Sequence, residues 1–327
     1  MIEKVHISRF KSIKELDLDC RRINIFIGEP NTGKSNILEA VGGVFSYTYY
    51  GQYGHDARDF FRFEQTRDIF YDQDLAHPLE ITCDSTSVRL EFNDGRFEGQ
   101  CREASRVLAY WRGDHADLSA TNYVGSDTKP VSFKFYRFRS SQKFERRESD
   151  FLLPPFGDNL LSLLLANREL MSVINQPFAS QGLRLGLRPH EGKIEVVKQV
   201  DPVIVSYPYS LTSETLQRVT FHLAAILPNK DSILFFEEPE AHAFPYYTKS
   251  LAETIALDQN RNQYFISTHN PYFLLPLVAK ASKEDLAVNI VYFDDHQTKV
   301  QTLSEEDKAE MLEIDVFSNL DRYLKRQ

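Results

Sequence analysis

The 327-residue chain carries 47 acidic and 38 basic side chains, a formal charge of -9, with 42% hydrophobic and 26% charged residues. A chain this long buries about three-quarters of the surface exposed by its unfolded form, so it needs no disulfide or metal staple. The composition excludes disordered and fibrous classes. The acidic balance excludes counterion-driven binding of nucleic acid over the whole surface and leaves room only for a local basic stripe.

Three widely spaced cysteines, Cys20, Cys83 and Cys101, include no CxxC pair. Neither a disulfide framework nor a zinc ribbon is expected, and a reducing cytoplasm is the simplest home. Met1 leads into Glu3, Lys4 and His6, with no apolar stretch behind a basic start, so no signal peptide is read. The longest apolar runs, such as Leu160–Ala166, fall far short of the roughly 20 residues of a membrane span. The expectation is a soluble protein with no membrane partner.

In chain order, alternation around Val5/Ile7 and Leu16/Leu18 predicts two half-buried strands, and Ile23-Asn24-Ile25-Phe26-Ile27 predicts a buried one. Residues 32–47 read as a helix with Ile37, Leu38 and Val41 on one face. Residues 48–150, rich in aromatics and charges, read as an antiparallel β-rich insertion. Asn93-Asp94-Gly95 marks a hairpin within it. Pro154-Pro155-Phe156-Gly157 breaks the chain, and Asp158 is expected to cap a leucine-rich helix running to Leu170.

From residue 190 the order becomes regular. Strands at 194–197 and 203–207 precede a helix at 213–227. Then come strand 233–236, helix 245–258, strand 264–267, helix 271–280 and strand 288–293. This alternation predicts a βαβ sheet, largely parallel. A hairpin around Asp294-Asp295-His296 and a helix over 305–319 close the chain. The organisation expected is a single domain over 1–327, with core segments 1–47 and 200–295. A β-rich insertion spans 48–150, a helical lobe 151–190 and a C-terminal end 296–327.

The strongest motif is Gly28-Glu29-Pro30-Asn31-Thr32-Gly33-Lys34-Ser35, a complete GxxxxGK[ST] between a buried strand and a helix. Backbone amides of such a loop wrap phosphate oxygens, Lys34 reaches the β/γ-phosphates, and the Ser35 hydroxyl coordinates Mg²⁺. Asn36 follows as part of the same site. Next, Ile233-Leu234-Phe235-Phe236 is a buried strand ending in Glu237-Glu238-Pro239-Glu240. Glu237 reads as the metal-side carboxylate and Glu238 as the general base that orients water. Glu240 reads as solvated or structural. Phe265-Ile266-Ser267 ends in Thr268-His269-Asn270-Pro271, and open α/β sheets gather ligand groups at such strand ends. His269 there would hydrogen-bond the γ-phosphate; the bland alternative is a structural histidine.

Taken in this order, the phosphate loop, the Glu-Glu-Pro-Glu strand end and Ser-Thr-His-Asn-Pro resemble ABC-type ATPase heads. More narrowly, they are similar to the soluble SMC/RecF/OLD-like "AAA" ATPases of DNA maintenance and phage defence. The opening Ile7-Ser8-Arg9-Phe10-Lys11-Ser12-Ile13 and Lys34-Ser35-Asn36-Ile37-Leu38-Glu39-Ala40 carry the narrower likeness. The resemblance covers 1–47 and about 200–295 well and the middle weakly. It implies an α/β P-loop NTPase fold: a mostly parallel core sheet, an antiparallel β-rich lobe and a helical lobe. It also implies ATP and Mg²⁺ as ligands, slow hydrolysis and an ATP-dependent homodimer.

Family logic sets a signature helix against the γ-phosphate held by the second protomer. Here that segment is Ser213-Glu214-Thr215-Leu216-Gln217-Arg218, without the usual glycines, and an ordinary N-capped helix is the alternative. The metal-sensing glutamine that the resemblance implies is sought at Gln142, with Gln52 and Gln65 as rivals. No sustained heptads precede Ser213, so coiled-coil arms are not expected. Too few residues follow His269 for a fused nuclease.

One stretch, 133–139 continuing to Lys143, Arg146 and Arg147, mixes basic and aromatic side chains as stacking on nucleic acid would require. The alternative is an amphipathic strand paired with the chain's own carboxylates. Two readings of function follow. The first is an ATP-hydrolysing switch that governs DNA or a separate effector protein, a nuclease or toxin. The second is a nucleotide-gated scaffold with little turnover. A transporter ATPase subunit ranks behind both.

Overall fold

The structure is a computed structural model, which describes residues 1–122 and 133–324. Strands β1 (Lys4–Phe10) and β2 (Ile13–Asp19) form a hairpin, and β3 (Ile23–Ile27) is buried along its whole length. Helix α1 (Lys34–Leu38) runs through a π-helical stretch at Glu39–Val44 into α2 (Phe45–Tyr50). Gly42 lies within that stretch because a Cβ there would meet the Phe235 ring at 2.4 Å. The close helix–sheet approach therefore requires glycine.

A meander follows: β4 (Leu79–Cys83), β5 (Thr86–Asn93), β6 (Arg96–Glu103), β7 (Arg106–Gly113) and β8 (Leu118–Asn122). The hairpin forms where expected, with Asn93 paired to Arg96 across an Asp94-Gly95 turn at positive φ. β1 and β2 do not join the core segment in which they were expected. β1 pairs with β4, so both complete a seven-stranded antiparallel sheet.

Next come β9 (Phe133–Tyr136) and helices α3 (Leu160–Ala166) and α4 (Arg168–Ala179). The sequence also predicts a strand over 131–139; its first two residues lie outside the described residues, and β9 ends at Tyr136. The single leucine-rich helix is instead two, separated at Asn167, whose side chain caps α4 by accepting from Leu170 N. Asp158 is not its cap. Asn159 holds that position, and Asp158 pairs with His55 at 3.1 Å and Arg139 at 3.6 Å.

β10 (Leu183–Arg188), β11 (Lys193–Val200) and β12 (Val203–Pro208) form a separate three-stranded antiparallel sheet. The strands expected at 194–197 and 203–207 belong to it and not to the parallel sheet. The regular alternation begins with α5 (Glu214–Ile226) and β13 (Ile233–Glu237), then α6 (Pro245–Ala256) and β14 (Gln263–Ser267). It ends with α7 (Pro271–Lys280), β15 (Leu286–Asp294) and β16 (Gln297–Thr302). The closing helix is short, α8 (Glu305–Glu310), with α9 (Leu320–Tyr323) apart from it.

The core sheet has the order β16-β15-β3-β14-β13-β9. All pairs are parallel except β15 with β16. Both of its faces are covered, which is why its strands are continuous apolar runs. Ile23, Ile25, Leu234, Phe236, Tyr264 and Ile266 face the helical side with α5, α6 and α7. Phe26, Phe235 and Phe265 face α1, α2 and the antiparallel sheet. On that face Phe235 stacks on Phe265 at 4.9 Å between centroids, locking adjacent strands in register. The fold is α/β with a mostly parallel core sheet, an antiparallel β lobe and a helical lobe.

Candidate functional site

Register brings the motifs together. Glu237 of β13 is level with Ser267 of β14, and Ser267 is level with Phe26 of β3. The phosphate loop, the acidic strand end and the Thr268-His269 segment therefore leave three adjacent parallel strands at one edge of the sheet. Ligand groups collect at this edge in open α/β sheets.

Gly28 has φ +152, and a Cβ on it would sit 2.1 Å from Val291 O. Gly33, at φ 102, precedes α1 in the left-handed region. Substitution of Gly28 by alanine is expected to cost at least about 2 kcal/mol through overpacking and backbone strain. A fall in melting temperature, accompanied by loss of nucleotide binding, checks this. Behind the loop, Thr298 Oγ1 donates to Thr32 O at 2.9 Å and meets Ser12 Oγ at 2.7 Å. Asn36 Nδ2 donates to the same Ser12 hydroxyl at 2.7 Å. Asn36 thus braces the loop from behind.

The first intrahelical bond of α1 runs from Ile37 N to Gly33 O. The amides ahead of Ile37 are therefore left to face an anion at the helix mouth. Lys34 Nζ bends back to donate to Gly28 O at 2.8 Å and Glu29 O at 2.6 Å, bracing the loop across its mouth. Burial lowers the Lys34 pKa, with Glu238 and Glu29 partly offsetting the shift. Glu238 is thus close enough for its charge to be felt at Lys34.

Glu238 adopts φ 44 and donates its N–H to Ser267 O at 2.9 Å. That turn points its carboxylate at His269, whose Nδ1 lies 3.1 Å from Oε1. Both side chains are substantially open to solvent. Beneath them Glu240, expected to be solvated or structural, is buried and takes the structural role, accepting a hydrogen bond from Thr268 Oγ1. Its second oxygen has no partner among the described residues. Thr268 in turn accepts from Asn270 N at 3.1 Å, and Asn270 caps α7. Glu240 therefore ties the acidic loop to the His269 loop.

Burial pushes the Glu240 carboxyl up from 4.5 to about 7. Its folded pKa exceeds the unfolded one, so its stabilising contribution is complete below about pH 4.5. That contribution is lost as pH rises through about 7, by on the order of 3 kcal/mol. Glu240→Gln is expected to remove this slope. The melting-temperature difference between variant and parent should shift in the variant's favour from pH 5 to pH 8; a constant difference would contradict the assignment.

Glu237, at the end of β13, is engaged by two guanidiniums. Arg62 Nη2 donates to its Oε1 at 3.0 Å, and Arg137 Nη2 lies 3.4 Å from Oε2. Both arginines also hold the fully buried Glu39, each at 2.7 Å from its Oε1, and Lys11 takes its other oxygen. Burial raises the Glu39 carboxyl, but Lys11, Arg62 and Arg137 outweigh it and keep its pKa below the ordinary range. The motif reading missed this cluster. Its one signal was the basic stretch beginning at Phe133.

Only the start of that stretch is turned inward; Arg139, Lys143 and Arg146 are exposed. Lys134 is buried on Asn229 and Ser232, with its ammonium 3.5 Å from the centre of the Phe151 ring. Arg139 pairs with Asp158 and covers Phe156, while Arg147 pairs with Glu145 at 2.6 Å. Arg139 and Arg147 thus pair with the chain's own carboxylates while staying partly open to solvent. Gln142, Gln52 and Gln65 are all exposed, and none contacts Glu237 among the described residues. Arg137 reaches Glu237 from the end of β9 in place of Gln142.

Ser35 and Glu237 offer hard oxygen donors of the kind Mg²⁺ prefers, with phosphate oxygens and water to complete the shell. The donor set fits that ion once Glu237 is freed from its arginines. Ser213 caps α5 by accepting from Leu216 N at 3.4 Å. Glu214 pairs with Arg218, and Thr215 Oγ1 donates to His242 O at 2.8 Å.

Two family models match the chain. One, described as an AAA ATPase domain, matches residues 205–274, and another, a protein of unknown function (DUF2813), matches residues 1–75. Among curated proteins none matches. Among solved structures, the chain is similar to an Smc head domain with an extended coiled coil bound to the C-terminal domain of ScpA, derived from Pyrococcus furiosus. That likeness has 14% identity and TM-score 0.55, covering 95% of this chain and 98% of that one. The SmcHead bound to the C-winged helix domain of ScpA is 16% identical with TM-score 0.51, covering 94% and 99%.

At these identities the likeness concerns fold. Between β9 and α5, this chain has only short helices and the small antiparallel sheet. No described helix is long and apolar enough to cross a membrane. In fold, the chain is similar to Smc head domains, with an AAA ATPase domain match over residues 205–274, and it carries no coiled-coil arms among its described residues.

Proposed function

We propose that the chain binds Mg²⁺ and ATP at the phosphate loop, hydrolyses ATP slowly, and uses the cycle as a switch. The observation that carries this reading is the register placing Gly28–Ser35, Glu237-Glu238 and His269 on adjacent parallel strand ends. Lys34 leaves Gly28 O and Glu29 O for the β/γ-phosphates. Ser35 and Glu237 would hold Mg²⁺, which would supply positive charge against the phosphate oxygens. Glu238 accepts a proton from water as its oxygen bonds to the γ-phosphorus and the bond to the bridging oxygen breaks. ADP and phosphate leave, and the proton on Glu238 returns to solvent. His269, held by Glu238, donates a hydrogen bond to the γ-phosphate and couples its loss to the loop that Glu240 ties down.

Two copies closing head to head would set the N-terminus of α5, with Ser213, Glu214 and Thr215, against the partner's γ-phosphate. Ser213→Ala tests this part. Cap loss alone costs about 1 kcal/mol of stability; the switch reading expects an additional loss of ATP-dependent assembly. Smc heads similar in fold are bound to domains of ScpA, which supports a separate protein as the partner of this chain. DNA maintenance and phage defence are the settings suggested by the sequence resemblance. DNA, a nuclease or a toxin remain the partner classes proposed.

The direct test is phosphate release from ATP by the purified chain with Mg²⁺, with Lys34→Ala and Glu238→Gln as controls. Turnover lost in both variants supports the switch. The scaffold reading draws on the arginines engaging Glu237 and on the lack of glycines after Ser213. Lys34-dependent assembly without phosphate release would favour it.

A further inference from the structure

We infer that Arg62 is a positioning residue for the metal side of the nucleotide site: an ion-pair latch on Glu237 that must open before Glu237 can hold a divalent cation. This rests on the reading of Glu237 as the metal-side carboxylate. Arg62 bridges two carboxylates, with Nε on Glu39 at 2.7 Å and Nη2 on Glu237 at 3.0 Å. Arg137 makes the same pair of contacts but is fixed. Its Nη1 also lies 3.3 Å from Asp59 O, and its side chain is only 17% exposed. The Arg62 side chain is 59% exposed. Of the two, only Arg62 is free to swing.

Charge explains the coupling. Three cations, Lys11, Arg62 and Arg137, surround Glu39, and Glu237 supplies the second negative charge. A guanidinium and a divalent cation on one carboxylate repel each other, so Arg62 and the metal compete for Glu237. Once Glu237 turns to the metal, the cluster keeps three cations against one carboxylate. That excess beside the loop favours a polyphosphate anion. Arg62 can then keep its Nε on Glu39 while its freed Nη2 faces the site. The latch thus holds Glu237 away from stray cations until nucleotide and metal arrive together.

The test is equilibrium binding of a fluorescent ATP analogue across a Mg²⁺ series and in EDTA, with the parent chain, Arg62→Gln, Arg62→Lys and Lys34→Ala. Arg62→Gln is expected to lower the Mg²⁺ needed for half-maximal binding by about 2- to 5-fold, the scale of one solvent-facing ion pair. Affinity in EDTA should stay unchanged, and Arg62→Lys should return the Mg²⁺ requirement toward the parent value. An unshifted Mg²⁺ requirement, or an equal loss with and without metal, would overturn the latch. So would failure of Arg62→Gln to fold, since a releasable contact is not a structural one. Undiminished binding by Lys34→Ala would instead overturn the phosphate-loop reading on which the latch rests.

Discussion

Replacing Lys34 by alanine is expected to reduce ATP affinity by about 100-fold or more and leave the fold intact. Each charge-assisted hydrogen bond to a phosphate oxygen is worth about 1.5–3 kcal/mol, and the ammonium reaches more than one oxygen. In the nucleotide-free chain the same ammonium serves Gly28 O and Glu29 O, which water can reach once it is gone. Burial already disfavours the charged lysine, as its lowered pKa reflects. Its removal therefore relieves one cost while adding another. Calorimetric titration with ATP should show the lost affinity, and thermal melting should stay within a few degrees of the parent.

Glu238→Gln is expected to slow hydrolysis by about 10²- to 10⁴-fold while nucleotide still binds. That range is what a positioned general base contributes. The amide keeps the size of the carboxylate and can still hydrogen-bond His269 Nδ1, now 3.1 Å away, but cannot accept a proton from water. Single-turnover phosphate release separates the two effects. Slowed release with unchanged binding supports the assignment. Release at the parent rate would move the base elsewhere, with Glu240 the nearest other carboxylate on that loop.

The core sheet was legible because its strands are buried on both faces. Ile23–Ile27, Ile233–Glu237 and Gln263–Ser267 are short apolar runs ending where polar motif residues begin. β1 and β2 were legible as strands but not by sheet. Half-burial says that a face is covered, not what covers it, and their partner β4 lies far along the chain. β10 was missed although Leu183, Leu185 and Leu187 alternate with Arg184, Gly186 and Arg188 as in a half-buried strand, because the helical lobe expected over 151–190 took in the segment. Asn167 was hidden inside a helical pattern, and only its capping hydrogen bond reveals the break between α3 and α4.

At the site, local motifs supplied the loop, the paired glutamates and His269. The cluster of Lys11, Glu39, Arg62 and Arg137 had no local pattern. Its members come from the β1–β2 turn, the helix after the loop, the segment before the meander and the end of β9. Only folding joins them. The same limit misdirected the search for the glutamine. Residue type favoured Gln142, whereas the strand end brings Arg137 to Glu237.

The central claim, an ATP-driven switch between separate and paired heads, is tested most directly by light scattering of Glu238→Gln with and without Mg-ATP. The expected result is a mass of 37.9 kDa without nucleotide that doubles with Mg-ATP, the doubling being absent when Lys34→Ala is added. A chain that binds Mg-ATP yet keeps the single-chain mass would contradict it.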